Sequence, residues 1–232
     1  MIIHGFQKLT MLDFPGKTAC TVFTGGCNMR CPFCHNADLV LDPGAYPVIP
    51  EEEVIGLLSR RRGILDGVCV TGGEPMLQKD LPVFAEKIKN LGFLVKIDTN
   101  GTFPSELRYM LNEGLCDYVA MDVKNSPAKY GETVGRKGFD ISRIIESIDI
   151  LKSTSVPHEF RTTVTKTFHE YRDLAEIAGM LGSGQNYYLQ AYRSSDKVMD
   201  GTVTGYLPSE LKEMTARLSS EHTDMNISLR GV

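Results

Sequence analysis

The chain has 232 residues, 25 of them Lys or Arg and 29 Asp or Glu, for a formal charge of -4. That balance, without a long basic run, speaks against a protein that holds nucleic acid by neutralising phosphates. No apolar stretch approaches bilayer-spanning length and Met1-Ile2-Ile3-His4-Gly5-Phe6 lacks a signal-peptide core, so the expectation is a cytoplasmic protein with no membrane or nucleic-acid partner.

In chain order, an apolar run over 18–24 predicts the first strand, and it leads through Gly25-Gly26 into Cys27-Asn28-Met29-Arg30-Cys31-Pro32-Phe33-Cys34. A helix is expected over 51–62. Its acids at Glu51-Glu52-Glu53 and cations at Arg60-Arg61-Arg62 are what the helix dipole favours, although the arginines also suit an acidic partner. The second strand, 67–71, ends in Thr71-Gly72-Gly73-Glu74-Pro75, and a helix over 81–91 follows. The third, 93–99, ends in Asp98-Thr99-Asn100-Gly101 before a helix over 105–113. The fourth, 118–123, gives Met121-Asp122-Val123-Lys124, with a helix over 142–152 beyond it. The fifth, 159–165, carries Arg161-Thr162-Thr163, and a helix over 171–181 separates it from the sixth, 187–192, with Gln190-Ala191-Tyr192-Arg193. A last helix is expected over 208–218, entered through Pro208.

Strands alternating with amphipathic helices predict an α/β fold on a parallel sheet, six strands and six helices forming a partial barrel or an open twisted sheet. One domain over 1–232 is expected. Parallel sheets collect ligands at the carboxyl ends of their strands, and here every strand ends in polar residues or cysteines.

Three clustered thiols, Cys27, Cys31 and Cys34, are one short of a closed tetrahedral zinc site and do not pair off as disulfides. A cubane iron-sulfur cluster held by three thiolates keeps one iron free for a ligand. Alone, Cys31-Pro32-Phe33-Cys34 would also suit a redox pair or half a zinc site, but no second such pair exists. Cys20, Cys69 and Cys116 lie in apolar runs and read as small buried hydrophobes. Gly72 and Gly73 let backbone approach a ligand, Glu74 adds a carboxylate for an ammonium group, and Pro75 suits a first helical turn. Such a stretch is elsewhere a plain strand-to-helix turn. Its position after the second strand, with the cysteines after the first, makes it part of a site.

These two stretches make the chain resemble the radical S-adenosylmethionine enzymes. The flanks Gly5-Phe6-Gln7-Lys8-Leu9-Thr10, Asp13-Phe14-Pro15-Gly16-Lys17 and Cys34-His35-Asn36 resemble, more narrowly, the activating proteins of anaerobic ribonucleoside-triphosphate reductase. The similarity runs over essentially the whole chain. It implies a partial (β/α)6 barrel of the radical SAM type, with one 4Fe-4S cluster on Cys27, Cys31 and Cys34 and S-adenosylmethionine chelated to the fourth iron. It further implies a glycyl radical enzyme as partner, a one-electron donor such as flavodoxin or ferredoxin, and an anaerobic setting. Many relatives carry a ferredoxin-like insert with further cysteines, and this chain has none.

The resemblance matches Gly73 and Glu74 to the site of the cofactor amino group, and Gly72, Asp98, Asn100 and Lys124 are read as cofactor contacts beside it; Arg161 suits the cofactor carboxylate as a bidentate fork, or is an ordinary strand arginine reaching solvent. Phe33 and His35 fall on the adenine side, and Gln190 on the rim. Asp98, Thr99, Met121 and Asp122 are the implied holders of a monovalent cation beside the cofactor carboxylate; two carboxylates facing a third repel, and a cation or Lys124 relieves that. Homolytic chemistry needs no proton shuttle, so His35 is read as a contact and not a base. Other functions weighed are an activase of another glycyl radical enzyme such as pyruvate formate-lyase, a small-molecule radical enzyme such as a 7-carboxy-7-deazaguanine synthase, and a non-catalytic zinc or scaffold protein.

Overall fold

A computed structural model describes all of residues 1–232. Eight strands form one sheet in chain order: β1 (Ile3–Thr10), β2 (Ala19–Thr24), β3 (Gly67–Gly72), β4 (Leu94–Thr99), β5 (Tyr118–Asp122), β6 (His158–Val164), β7 (Asn186–Ala191) and β8 (Asn226–Arg230). β1 runs antiparallel to β2, and every later pair is parallel. The six expected strands are β2 to β7. β1 and β8 extend them at either side and are the two free edges of the sheet. Side chains two strands apart meet on one face: Arg161 on β6 reaches Asp98 on β4 at 3.4 Å, and Arg230 on β8 reaches Glu159 on β6 at 2.7 Å. Flat strands two apart lie about 9.5 Å from each other, so that face is concave.

The helices are α1 (Ala37–Leu41), α2 (Glu51–Arg60), α3 (Leu81–Asn90), α4 (Pro104–Asn112), α5 (Tyr130–Thr133), α6 (Ser142–Ser153), α7 (Tyr171–Leu181) and α8 (Pro208–Glu221). Proline sits in the first turn of α3, α4 and α8, where its missing N–H costs nothing. α7 opens with Glu170 and Asp173 capping each other's backbone. None of the helices is long and apolar enough to cross a membrane.

Strand alternation divides the molecule. Val22, Val68, Val70, Val95, Ile97 and Val119 face the helices and belong to one continuous core with Leu58, Phe84, Ile88, Ile148 and Ile177. Residues of the opposite parity, such as Lys96, Asp98, Asp122 and Arg161, point to the concave side. Register then sets them side by side: Asp98 is level with Ala120, Asp122 with Arg161, and Thr163 with Gln190. At the amino end of the strands Phe14, only 3% exposed, packs against Tyr118 with ring centroids 5.9 Å apart and planes tilted by 55°. Asp13 beside it accepts a hydrogen bond from Thr21 at 2.5 Å.

Candidate active site

The loop after β2 carries Cys27, Cys31 and Cys34, and it is held by the chain's own backbone. Gly73 N–H donates to Thr24 O and Glu74 N–H to Gly26 O, both at 2.8 Å. Asn36 Nδ2 donates to Gly72 O at 2.8 Å and Gln78 Nε2 to Gly25 O at 3.1 Å. The two glycines after β3 are required by this junction. A Cβ on Gly73 would lie 1.8 Å from Gly26 O, and one on Gly72, at φ +112°, would lie 2.4 Å from Thr24 N and O. The close approach that glycine permits is thus first to the cysteine loop itself.

All three cysteine side chains line a single cavity of about 180 Å³ at the carboxyl ends of the strands. Phe33, His35, Gly72, Gly73, Asp98, Thr99, Asn100, Asp122, Lys124 and Arg161 line it as well, so most of the expected site residues converge. Phe33 is 3% exposed and packs against Phe168 and His169. The His35 ring lies against Tyr192 at 5.6 Å, and burial lowers its pKa. Asn100 Nδ2 donates to Asn28 Oδ1 at 2.9 Å and lies 3.7 Å from Cys27 Sγ. Burial pushes the thiol of Cys31 up to about 12 and raises those of Cys27 and Cys34. A bound metal would have to displace those protons.

Beside the thiols lies a charge network. Asp122 pairs with Lys124 at 2.8 Å and with Arg161 Nε at 2.9 Å. Asp98 pairs with Lys96 and, at 3.4 Å, with Arg161. Burial alone would raise both carboxyls, but the Arg161 guanidinium and the two ammonium groups hold them below the usual range. Three cations face two anions, which leaves one positive charge toward the cavity and suits it to an incoming carboxylate.

Three expected groups meet other partners in the structure. Glu74 does not line the cavity: it is fully buried, accepting from Met76 N at 3.1 Å, Thr99 Oγ1 at 2.8 Å and Asn100 N at 2.7 Å. Burial drives its pKa up to about 7 against those hydrogen bonds. Met121 turns to the helix side, where its side chain packs under Gly101. The oxygens of Asp98 and Asp122, expected to hold a monovalent cation, are taken by Lys96, Lys124 and Arg161. Gln190 sits one step away, in an adjoining cleft shared with His35 and Thr163. Sequence reasoning gave no site role to Lys96, Asn36, Thr71 or Thr163, although Lys96 and Thr163 share strand parity with Asp98 and Arg161.

No three His, Cys, Asp or Glu groups converge on one point as a single metal ion requires. Thiols that each bind a separate iron of a cubane need only share a cavity, and here they do, with the positive surplus beside them. The residues present fit a cluster with an amino-acid ligand.

The sequence profile of the radical SAM superfamily matches residues 21–181. A Methanocaldococcus jannaschii protein, named provisionally as a glycyl-radical enzyme activating enzyme, is 32% identical over 100% of this chain and 96% of its own length. The pyruvate formate-lyase-activating enzyme of Clostridium pasteurianum is 27% identical over 83% of this chain and 82% of that one. The 7-carboxy-7-deazaguanine synthase of Thermococcus kodakarensis is 30% identical over 65% of each. Among solved structures, Streptococcus suis SuiB superposes with a TM-score of 0.73 at 15% identity, covering 91% of this chain and 48% of SuiB, so this chain spans about half of that protein. The enzyme anSMEcpe with bound AdoMet and a peptide superposes at 0.64 and 17% identity, covering 90% of this chain and 62% of that one. Those two likenesses bear on the fold, a partial barrel. The chain belongs to the radical SAM superfamily, and its cofactors are a 4Fe-4S cluster and S-adenosylmethionine.

Proposed function

We propose that the protein is an activating enzyme that leaves a glycyl radical on a partner protein, and that the partner is anaerobic ribonucleoside-triphosphate reductase. The observation that carries the first part is the match to a relative named as a glycyl-radical enzyme activating enzyme, 32% identical over 100% of the chain, where 7-carboxy-7-deazaguanine synthases match at 30% identity over 65% or at 24% over 91%. The second part rests on the flanking motifs, from Gly5-Phe6 through Asp13-Phe14-Pro15-Gly16 to Cys34-His35-Asn36.

Bound together, the reduced cluster and the cofactor supply a 5′-deoxyadenosyl radical able to take a hydrogen atom from a glycine Cα. The chain's own residues hold and orient. Cys27, Cys31 and Cys34 hold the cluster, and the Gly72-Gly73 backbone receives the cofactor amino group. Arg161 and Lys124 receive its carboxylate, with Asp98, Asp122 and Lys96 fixing their positions. Phe33, His35 and Gln190 flank the adenosyl group. Glu74 is a positioning residue that acts through Thr99 and Asn100.

The test is deuterium transfer. With the reduced enzyme and a reductase labelled at its glycine Cα, label should enter 5′-deoxyadenosine and a glycyl signal should appear by electron paramagnetic resonance. A signal with pyruvate formate-lyase alone would move the partner. Cofactor cleavage without label from any protein would overturn the reading in favour of a small-molecule substrate.

A further inference from the structure

The outer surface of the cysteine loop is packed by the segment after β5. Arg30 N–H donates to Val134 O at 2.9 Å, and Gly135 comes so close that a Cβ would lie 2.4 Å from Arg30 O. Two guanidiniums fasten the loop from outside: Arg30 Nη1 donates to Cys27 O at 2.7 Å and to Met29 O at 2.8 Å, and Arg136 Nη1 donates to Asn28 O at 2.7 Å. Arg30, Arg136 and Lys137 are exposed, and none of the three forms an ion pair. Of the acids in the segment, Asp140 turns to Ser142 at 2.7–2.9 Å and Glu132 stays free. Three cations against two carboxylates, Glu132 and Asp140, leave a net positive charge on the surface of the loop that carries the cluster ligands.

An aromatic pair lies within this surface. Phe139, half-buried, stacks on the fully buried Tyr130 with centroids 5.2 Å apart and planes 19° from parallel. The Tyr130 hydroxyl accepts from the N–H of Lys124 at 3.3 Å, and Lys124 lines the cavity with the three cysteines. The stack therefore leads from the charged surface to the wall of the cluster site.

We propose that Arg30, Arg136 and Lys137, set around Phe139, form the docking surface for an acidic flavodoxin-type protein that delivers the electron to the cluster. This rests on the radical reading, which requires one electron from outside the chain. The carrier is oxidised by one electron and the cluster reduced by one, and no covalent bond forms or breaks. Charge complementarity selects the partner: a flavin edge is a flat apolar surface, which Phe139 matches, and acids around it would meet the three cations.

The experiment uses the cluster-loaded protein with fully reduced flavodoxin. In the charge-reversed double variant Arg136→Glu/Lys137→Glu, flavodoxin affinity by calorimetry at low salt should fall about tenfold and its salt dependence should flatten. The stopped-flow rate of cluster reduction by flavodoxin should fall by a similar factor, with dithionite as the reference reductant. If both reductants slow equally, the cause is the lost bond to Asn28 O, and Lys137→Glu, which touches nothing in the loop, then decides. Unchanged flavodoxin affinity and rate in that variant overturn the proposal. So does a loss of affinity for the glycyl radical enzyme with none for flavodoxin, which would give the surface to the substrate protein. Neither result bears on label transfer, so the activase reading stands or falls separately.

Discussion

Two charged clusters share the concave face of the sheet, and they are built to opposite rules. Toward the carboxyl ends, Lys96, Lys124 and Arg161 surround Asp98 and Asp122, and one cation is left over beside the cysteines. Toward the amino ends, Glu159 is 1% exposed and complete: Arg230 grips both of its oxygens at 2.7 and 2.8 Å, Tyr118 donates at 2.9 Å, and the guanidinium lies 3.4 Å above the Tyr188 ring. The first cluster is open, with a charge that only a ligand can satisfy. The second is closed, and its work is to tie the edge strand β8 back to β6. An unsatisfied charge marks binding, and a saturated one marks architecture.

Removing the shared cation should break the distinction most severely. Arg161→Leu leaves Asp98 and Asp122 with one lysine each and no surplus cation for the incoming carboxylate. S-adenosylmethionine affinity, by equilibrium dialysis, should fall about ten- to a hundredfold, the worth of a lost charged hydrogen bond. Unchanged affinity would show that Arg161 is no more than a counter-ion. In the closed cluster, Arg230→Met strands a buried carboxylate and should cost about 3 kcal/mol in urea unfolding. The double variant Glu159→Gln/Arg230→Met should recover most of that, and cofactor affinity should move in neither. A weakened cofactor in Arg230→Met would mean that the clusters are coupled.

A pH-dependent effect separates Glu74 from both. Its folded pKa, about 7, stands above the ordinary 4.5, so the fold penalises the ionised form. Stability from this group is greatest below pH 4.5, declines as pH rises toward 7 and is level beyond. Relative to Glu74→Gln, the wild type should lose on the order of 3 kcal/mol across that window, or about 6–12 °C in melting temperature. A difference that does not change with pH would place an ionised Glu74 in the fold throughout. The smallest expected effect is that of exchanging sodium, potassium and tetramethylammonium at fixed ionic strength. With side-chain cations already on Asp98 and Asp122, cofactor affinity should vary less than about twofold. A tenfold preference would restore the monovalent cation and displace Lys124 from its role.

The parallel core was legible because buried strands must be apolar on the helix side, and β2 to β7 carry that signal. β1 escaped notice because Gln7, Lys8 and Leu9 are exposed at an edge and the strand alternates weakly; β8 is five residues long and only one of them is buried. The site was legible where position follows from a strand end. Arg161, Asp98 and Asp122 lie on one face by parity alone, and the same rule would have turned Met121 away. Lys96 was missed because a strand lysine ordinarily reads as solvated, and only the register shows it beside Asp98. Glu74 was harder to read for another reason: the motif suggests a ligand, and in the structure three donors from Met76, Thr99 and Asn100 occupy its carboxylate.

The hydrogen bonds joining Gly73, Glu74, Asn36 and Gln78 to the cysteine loop have a consequence for how the protein matures. A zinc finger has no shape until its metal arrives, because its chain lacks other means of closing the loop. Here the loop is closed by peptide groups of a neighbouring strand end, so the seat for iron exists before iron does. Assembly of the metal centre is then a loading step on a finished fold. A chelated sample should stay folded and unfold cooperatively, its melting temperature lowered only by the lost binding energy of the cluster, and a cell starved of iron should accumulate a folded, idle pool that awaits only the cluster.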